Sequence, residues 1–230
     1  MIIVARYPTL TVRVCVFDLD HTLVNTPLDL AAMALDMRRH FERAWGPLPA
    51  RAERYRVGEL IAHCQRVVPE MEKALWVIAL DHERRAMRAA AVEPGAREAI
   101  AGARAAGYAT AIWTNNARDV TLEALERFAL LDALDHIVTR DDMRALKPDP
   151  AGWRVIAERF APVDAAVVVG DSWVDGVAAA AVGVPFVAYR ADEATLARWS
   201  VTPVARLVDL AALPPSLPRV SARPPGTERP

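Results

Sequence analysis

Three apolar runs in this chain each stop at an acidic or hydrogen-bonding residue. Val12-Arg13-Val14-Cys15-Val16-Phe17 stops at Asp18, Tyr108-Ala109-Thr110-Ala111-Ile112-Trp113 at Thr114, and Ala166-Val167-Val168-Val169 at Gly170-Asp171. Two further runs, His136-Ile137-Val138-Thr139 and Val184-Pro185-Phe186-Val187-Ala188, have the same short, branched character. Near-continuous Val/Ile runs of this length suit strands buried on both faces, the situation of strands in a parallel sheet. Helical patterns fill the intervals. Pro94-Gly95 opens one that runs to about Gly107, and another starts near Asn116 and continues through Leu122, Leu125 and Phe128. Pro150 opens a third, with Trp153, Ile156 and Phe160 at helical spacing, and Asp175 begins an alanine-rich fourth that stops near Gly183. The alternation predicts an α/β fold: a doubly wound, mainly parallel, Rossmann-like sheet.

From about Pro27 to Val92 the alternation lapses and the chain reads as helix only. Leu30, Met33, Ala34 and Met37 form one apolar stripe, Leu60, Ile61 and Cys64 belong to a second, and Met71, Leu75, Ile78 and Ala79 to a third. Pro47, Pro49 and Pro69 stand where helices should break. The expected organisation is a core made of residues 1–26 and 93–213, an inserted helical cap subdomain at 27–92, and a Pro-, Arg- and Ser-rich tail at 214–230 with no fold of its own.

Composition narrows the function classes. The 28 basic and 29 acidic residues give a net charge of −1, and no run of like charges points to nucleic acid or a membrane surface. No apolar run is long enough to span a bilayer, and Met1-Ile2-Ile3-Val4-Ala5-Arg6 lacks the layout of a signal peptide. The only cysteines, Cys15 and Cys64, fall in apolar or helical stretches and imply packing rather than a disulfide framework. A cytoplasmic protein with a small-molecule substrate is the expectation; the oligomeric state is not legible.

Four polar clusters are expected just past the ends of predicted strands, and ligands of open α/β sheets bind at the carboxyl ends of the strands. Asp18-Leu19-Asp20-His21-Thr22 sets two carboxylates one residue apart. Such a pair repels itself, which a hard cation such as Mg2+ relieves, leaving one carboxylate free to attack phosphorus and the other to move protons. Thr114-Asn115-Asn116 supplies a hydroxyl and amides for phosphate oxygens. Lys147-Pro148-Asp149-Pro150 fixes one of only two lysines beside a helix start, where it can neutralise a phosphate. Gly170-Asp171-Ser172-Trp173-Val174-Asp175 offers two more carboxylates, with Trp173 expected at the rim of the site. Each cluster alone has a plainer explanation, as turn, helix cap or surface lysine; their order along successive strands is the stronger signal.

With these four motifs in place, the chain resembles the haloacid dehalogenase superfamily of phosphohydrolases, over roughly residues 12 to 190. The resemblance implies Asp18 as nucleophile, Asp20 as general acid and base, and Thr114 and Lys147 as phosphate holders, with Asn115 near the substrate. It further implies Mg2+ held by Asp18, the backbone carbonyl of Asp20, Asp171 and Asp175. The implied activity is hydrolysis of a small phosphorylated metabolite, of the phosphoglycolate-phosphatase kind. A phosphomutase of the same superfamily and a non-catalytic binding member are the alternatives. Because Asp20 is present, dehalogenase chemistry is not expected. Lys73, beside Glu70 and Glu72, reads as solvated, which argues against imine chemistry. His21 stands where many relatives have glycine and is given no role. Arg38, Arg39, His40, Arg43, Arg51, Arg54 and Arg56 are the cap cations from which a substrate contact would come.

Overall fold

The computed structural model describes residues 11–213; the expected tail at 214–230 lies outside the described residues. In chain order the elements are β1 (Val12–Phe17), β2 (Val24–Asn25), α1 (Leu30–Ala44), α2 (Val57–Val67), α3 (Glu72–Arg88), β3 (Ala91–Val92), α4 (Ala96–Ala105), β4 (Tyr108–Trp113), α5 (Arg118–Arg127), β5 (His136–Val138), α6 (Ala151–Phe160), β6 (Val163–Gly170), α7 (Trp173–Ala180), β7 (Phe186–Tyr189), α8 (Glu193–Arg198) and β8 (Ala205–Leu207). Six strands form one sheet in the order β5-β4-β1-β6-β7-β8, and every neighbouring pair is parallel. β1 sits centrally, paired with β4 from Arg13↔Tyr108 to Phe17↔Ile112 and with β6 as far as Phe17↔Val169. The three strands therefore end level, and Asp18, Thr114 and Asp171 emerge along one edge.

The pleat explains why these runs are apolar on both faces, with Arg13 and Thr110 as the exceptions in β1 and β4. Cys15 and Phe17 point into a cluster with Ala99, Ile100 and Ala103 of α4 and Val120 and Leu125 of α5. Val14 and Val16 point the other way, into a cluster with Ile156 of α6, Ala178 of α7 and Leu196 of α8. Alternate residues of a strand face opposite sides, so a strand with helices on both sides favours apolar residues on both faces.

Between β2 and β3 the chain makes an excursion of three helices. They have a core of their own, with Met33, Met37 and Phe41 of α1, Leu60, Ile61 and Cys64 of α2, and Leu75 and Ala79 of α3. Leu30 does not join the expected stripe: it is 58% exposed, at the first turn of α1 where Asp29 caps the helix. The excursion leaves and re-enters at one place, because β2 and β3 pair antiparallel, Val24 with Val92 and Asn25 with Ala91. α7 begins at Trp173, ahead of the expected Asp175, because Ser172 is its N-cap and Asp175 completes a capping box as the third helical residue. β8 and α8 carry no strong apolar pattern and were not expected.

Both cysteines are free and buried. Among the described residues, no helix is long and apolar enough to cross a membrane.

Candidate active site at the strand ends

Lys147 is the pivot of the site. It is 6% exposed, and its Nζ donates to Asp18 Oδ1, to Asp175 Oδ1 and to the Trp113 carbonyl, each at 2.6 Å. Three acceptors satisfy the three ammonium donors, which is what allows a lysine to be buried while charged. Burial works against the ammonium, but Asp175 and Asp18 overcome it and hold the Lys147 pKa above its usual value. Asn115 fixes the lysine's backbone from both sides: Lys147 N donates to Asn115 Oδ1 at 2.8 Å and Asn115 Nδ2 donates to Lys147 O at 3.1 Å. The Asn115 side-chain amide is thus engaged in holding Lys147.

Asp18, Asp171 and Asp175 each place a carboxylate oxygen within 4.8 Å of the others. Asp175 is oriented by its capping role, since its Oδ2 accepts from Ser172 Oγ at 2.8 Å and from Ser172 N at 3.2 Å. Asp171 has no ion pair among the described residues, and burial, reinforced by the charges of Asp175 and Asp18, pushes its pKa up to about 9. Burial likewise raises Asp18 to about 7, with Lys147 pulling downward and Asp175 upward. Three clustered carboxylates and one ammonium leave the site short of positive charge. An all-oxygen donor set with that deficit fits a hard divalent cation such as Mg2+.

Asp20 stands slightly apart, outside the three-carboxylate cluster. Its Oδ1 accepts from Thr26 Oγ1 at 2.8 Å and its Oδ2 from Asn116 Nδ2 at 2.6 Å. Burial raises its pKa, against the lowering effect of these two hydrogen bonds. Thr114 is 1% exposed at the end of β4, with its Oγ1 accepting from Asn116 N at 3.2 Å. His21 occupies the left-handed region, φ 56°, with its side chain exposed. That backbone geometry, which glycine adopts without cost, is what the Asp20–Val24 turn demands.

Most of the cap cations are spoken for. Arg38 pairs with Glu42, Arg39 with Asp36 and Arg51 with Glu59, and Arg43 donates to the Arg39 carbonyl. Arg56 lies over Trp173 and Trp199, 5.2 and 5.0 Å from the ring centroids, and those two rings stack 3.8 Å apart at 11°. Trp173 therefore joins the loop bearing Asp171 and Asp175 to the helical excursion. Lys73 is exposed. A groove of about 880 Å3 lies between α1 and α3, lined by His40, Asp36, His82 and their neighbours, and none of the strand-end carboxylates lines it.

Sequence reasoning missed Thr26 and the buried Glu83–Arg140 pair that ties α3 to the turn after β5. Thr26 has no local signature. Glu83 had one: it follows Leu75 and Ala79 at four-residue steps, an acid on an apolar helical stripe.

Residues 15–189 match the family described as haloacid dehalogenase-like hydrolase. A phosphoglycolate phosphatase of Nitrosospira multiformis is 31% identical over 187 residues, covering 76% of this chain and 81% of that protein. A phosphoglycolate phosphatase of Cereibacter sphaeroides is 37% identical over 95 residues, 41% of this chain and 43% of its own length. Among solved structures, a hydrolase from Pseudomonas syringae shares the fold with a TM-score of 0.61 at 22% identity, over 89% of this chain and 96% of that one.

Proposed function

The chain belongs to the haloacid dehalogenase-like hydrolases, and on that premise we propose that it is a phosphatase of small phosphate monoesters, working through a covalent phosphate on Asp18. The observation that carries this reading is the Lys147 ammonium bridging Asp18 and Asp175 beside Asp171 at the carboxyl end of the central strands. The free oxygen of Asp18 attacks phosphorus. Asp20, whose raised pKa favours carrying a proton, gives that proton to the departing alkoxide. The ionised Asp20 then takes a proton from water, and the hydroxide formed displaces Asp18 from phosphorus, regenerating the Asp18 carboxylate and the protonated Asp20. The Thr114 hydroxyl holds one phosphate oxygen, Lys147 exchanges one of its three present acceptors for another, and Asn115 keeps Lys147 in place.

Asp18, Asp171, Asp175 and the Asp20 backbone carbonyl are the residues that would hold Mg2+. When bound, the ion neutralises charge on the phosphate and its attacking carboxylate. Residues 27–92 serve as a cap over the core of residues 1–26 and 93–213, and the cap selects the substrate. The resemblance to phosphoglycolate phosphatases makes a small phosphorylated hydroxy acid the leading substrate class. The two free thiols suit a reducing compartment such as the cytoplasm.

The test is phosphate release from a panel of phosphorylated metabolites with Mg2+, with chelator, and for Asp18→Asn. Release that needs the metal and vanishes in the variant is the expected result. An Asp18→Asn protein that keeps full metal-dependent activity overturns the nucleophile assignment. Isomerisation of a sugar phosphate without phosphate release replaces the phosphatase by a mutase.

A further inference from the structure

Asp20 is aimed from two sides, and one of them leads to the helical excursion. The Asn116 amide that donates to Asp20 Oδ2 is itself 5% exposed and held at its backbone. Its carbonyl accepts from Arg140 N at 3.1 Å, and the next amide, Ala117 N, donates to Glu83 Oε2 at 3.2 Å. The other oxygen of Glu83 accepts from the Arg140 guanidinium, which also lies 4.8 Å from the centre of the Trp76 ring. Trp76 and Glu83 are seven residues apart on α3, two helical turns, and so lie on one face. One rigid helix of the excursion thus grips Arg140 between an aromatic ring and a carboxylate, and the gripped residue and its carboxylate together hold the carbonyl and the N–H of the single peptide group that joins Asn116 to Ala117.

We propose that Asn116 is the positioning residue for Asp20, and that Glu83 of the helical excursion, with Arg140, holds Asn116 in its aiming position. The acid–base carboxylate is then correctly oriented only while α3 is seated on the core. If α3 lifts away, Glu83 leaves both Arg140 and the Ala117 amide, and the loop bearing Asn116 loses its outer anchor. Proton transfer to a leaving group requires alignment of donor and acceptor, so proton delivery is tied to α3 seating. This inference rests on Asp20 being the general acid.

The experiment compares kcat/KM, with Mg2+, on an alkyl phosphate and on p-nitrophenyl phosphate for wild type, Asp20→Asn, Asn116→Ala and Glu83→Gln. This parameter reports steps up to phosphoryl transfer, where an alkoxide needs a proton and a nitrophenolate does not. Asp20→Asn should lose about a hundredfold more on the alkyl ester than on the aryl ester, the usual scale of general acid catalysis. Asn116→Ala should show the same skew at about tenfold, and Glu83→Gln the same direction at smaller size. Equal losses on both esters for Asn116→Ala, with Asp20→Asn still skewed, overturn the positioning role. Equal losses for Asp20→Asn overturn the acid assignment beneath it. If Asn116→Ala does not fold by circular dichroism, Asn116→Ser is put to the same comparison and judged by the same skew.

Discussion

Replacing Lys147 by methionine keeps the side chain's length and removes its charge. The wild-type ammonium satisfies two carboxylates and the Trp113 carbonyl at 2.6 Å each. Removing one partner of a buried ion pair costs about 3–5 kcal/mol, and methionine's favourable burial offsets the orphaned carbonyl, which on its own costs about 1–3 kcal/mol. A net loss of about 4 kcal/mol follows, but only where the carboxylates are ionised. Asp18 is raised above its usual 3.8 to about 7 even beside Lys147, so ionising it already costs native stability. A group whose folded pKa lies above its unfolded value favours the native state below the unfolded pKa and ceases to do so as pH rises through the folded one. Without Lys147 that folded pKa climbs further. The variant should therefore lose clearly less at pH 5, where Asp18 is largely protonated, than at pH 9, where it falls behind by about 4 kcal/mol in chelator, with part of the gap restored by Mg2+. Urea unfolding at pH 5, 7 and 9, with and without the metal, measures this. In a chain of this size the full gap corresponds to a melting shift of about 8–16 °C. A loss under about 1 kcal/mol at pH 9, well below the cost of breaking a buried pair, or an equal loss at pH 5 and 9, refutes the reasoning.

His21→Gly removes the left-handed penalty of a residue at φ 56° and should raise stability by about 0.5–1 kcal/mol with phosphate release retained; a lowered melting temperature contradicts it. Gly170→Ala should do the opposite, because a Cβ there would lie 2.5 Å from the Asp175 carboxyl group. The expected cost is about 1–3 kcal/mol of stability, together with a higher Mg2+ concentration for half-maximal activity. Unchanged metal dependence would show that Asp175 tolerates displacement.

The parts of the molecule that announce themselves in sequence are those whose constraint is local. β1, β4 and β6 were legible because strands covered on both faces are apolar on both, and their ends fall on Asp18, Thr114 and Gly170-Asp171. β8 was not, because Ala205-Arg206-Leu207 is an edge strand with only Leu207 buried. Leu30 misled because a leucine counts toward a stripe whether or not the first turn of its helix touches anything. In the site, residues at strand ends declared themselves through type and order. The contacts between Asn116 and Asp20, 96 residues apart, and between Glu83 and Arg140, 57 apart, exist only once the chain is folded. Arg56 looked like a cation waiting for an anion; its partner is a pair of indole rings, and no spacing rule connects them.

The ribbon of β2 and β3 brings residues 24–25 and 91–92 side by side, so the core closes on itself whatever lies between. A foreign helical module of any length, joined at those two points, would meet no stretched linker. What it would meet is an obligation left behind in the host: Arg140, 9% exposed, would lose its carboxylate and its aromatic lid. Exchanging the module is thus a matter of the side chains that meet the core, these three and Arg56 on its indole pair among them, more than of topology. A graft that brings its own acid and ring to Arg140 inherits a working surface; one that does not leaves a stranded charge under its floor.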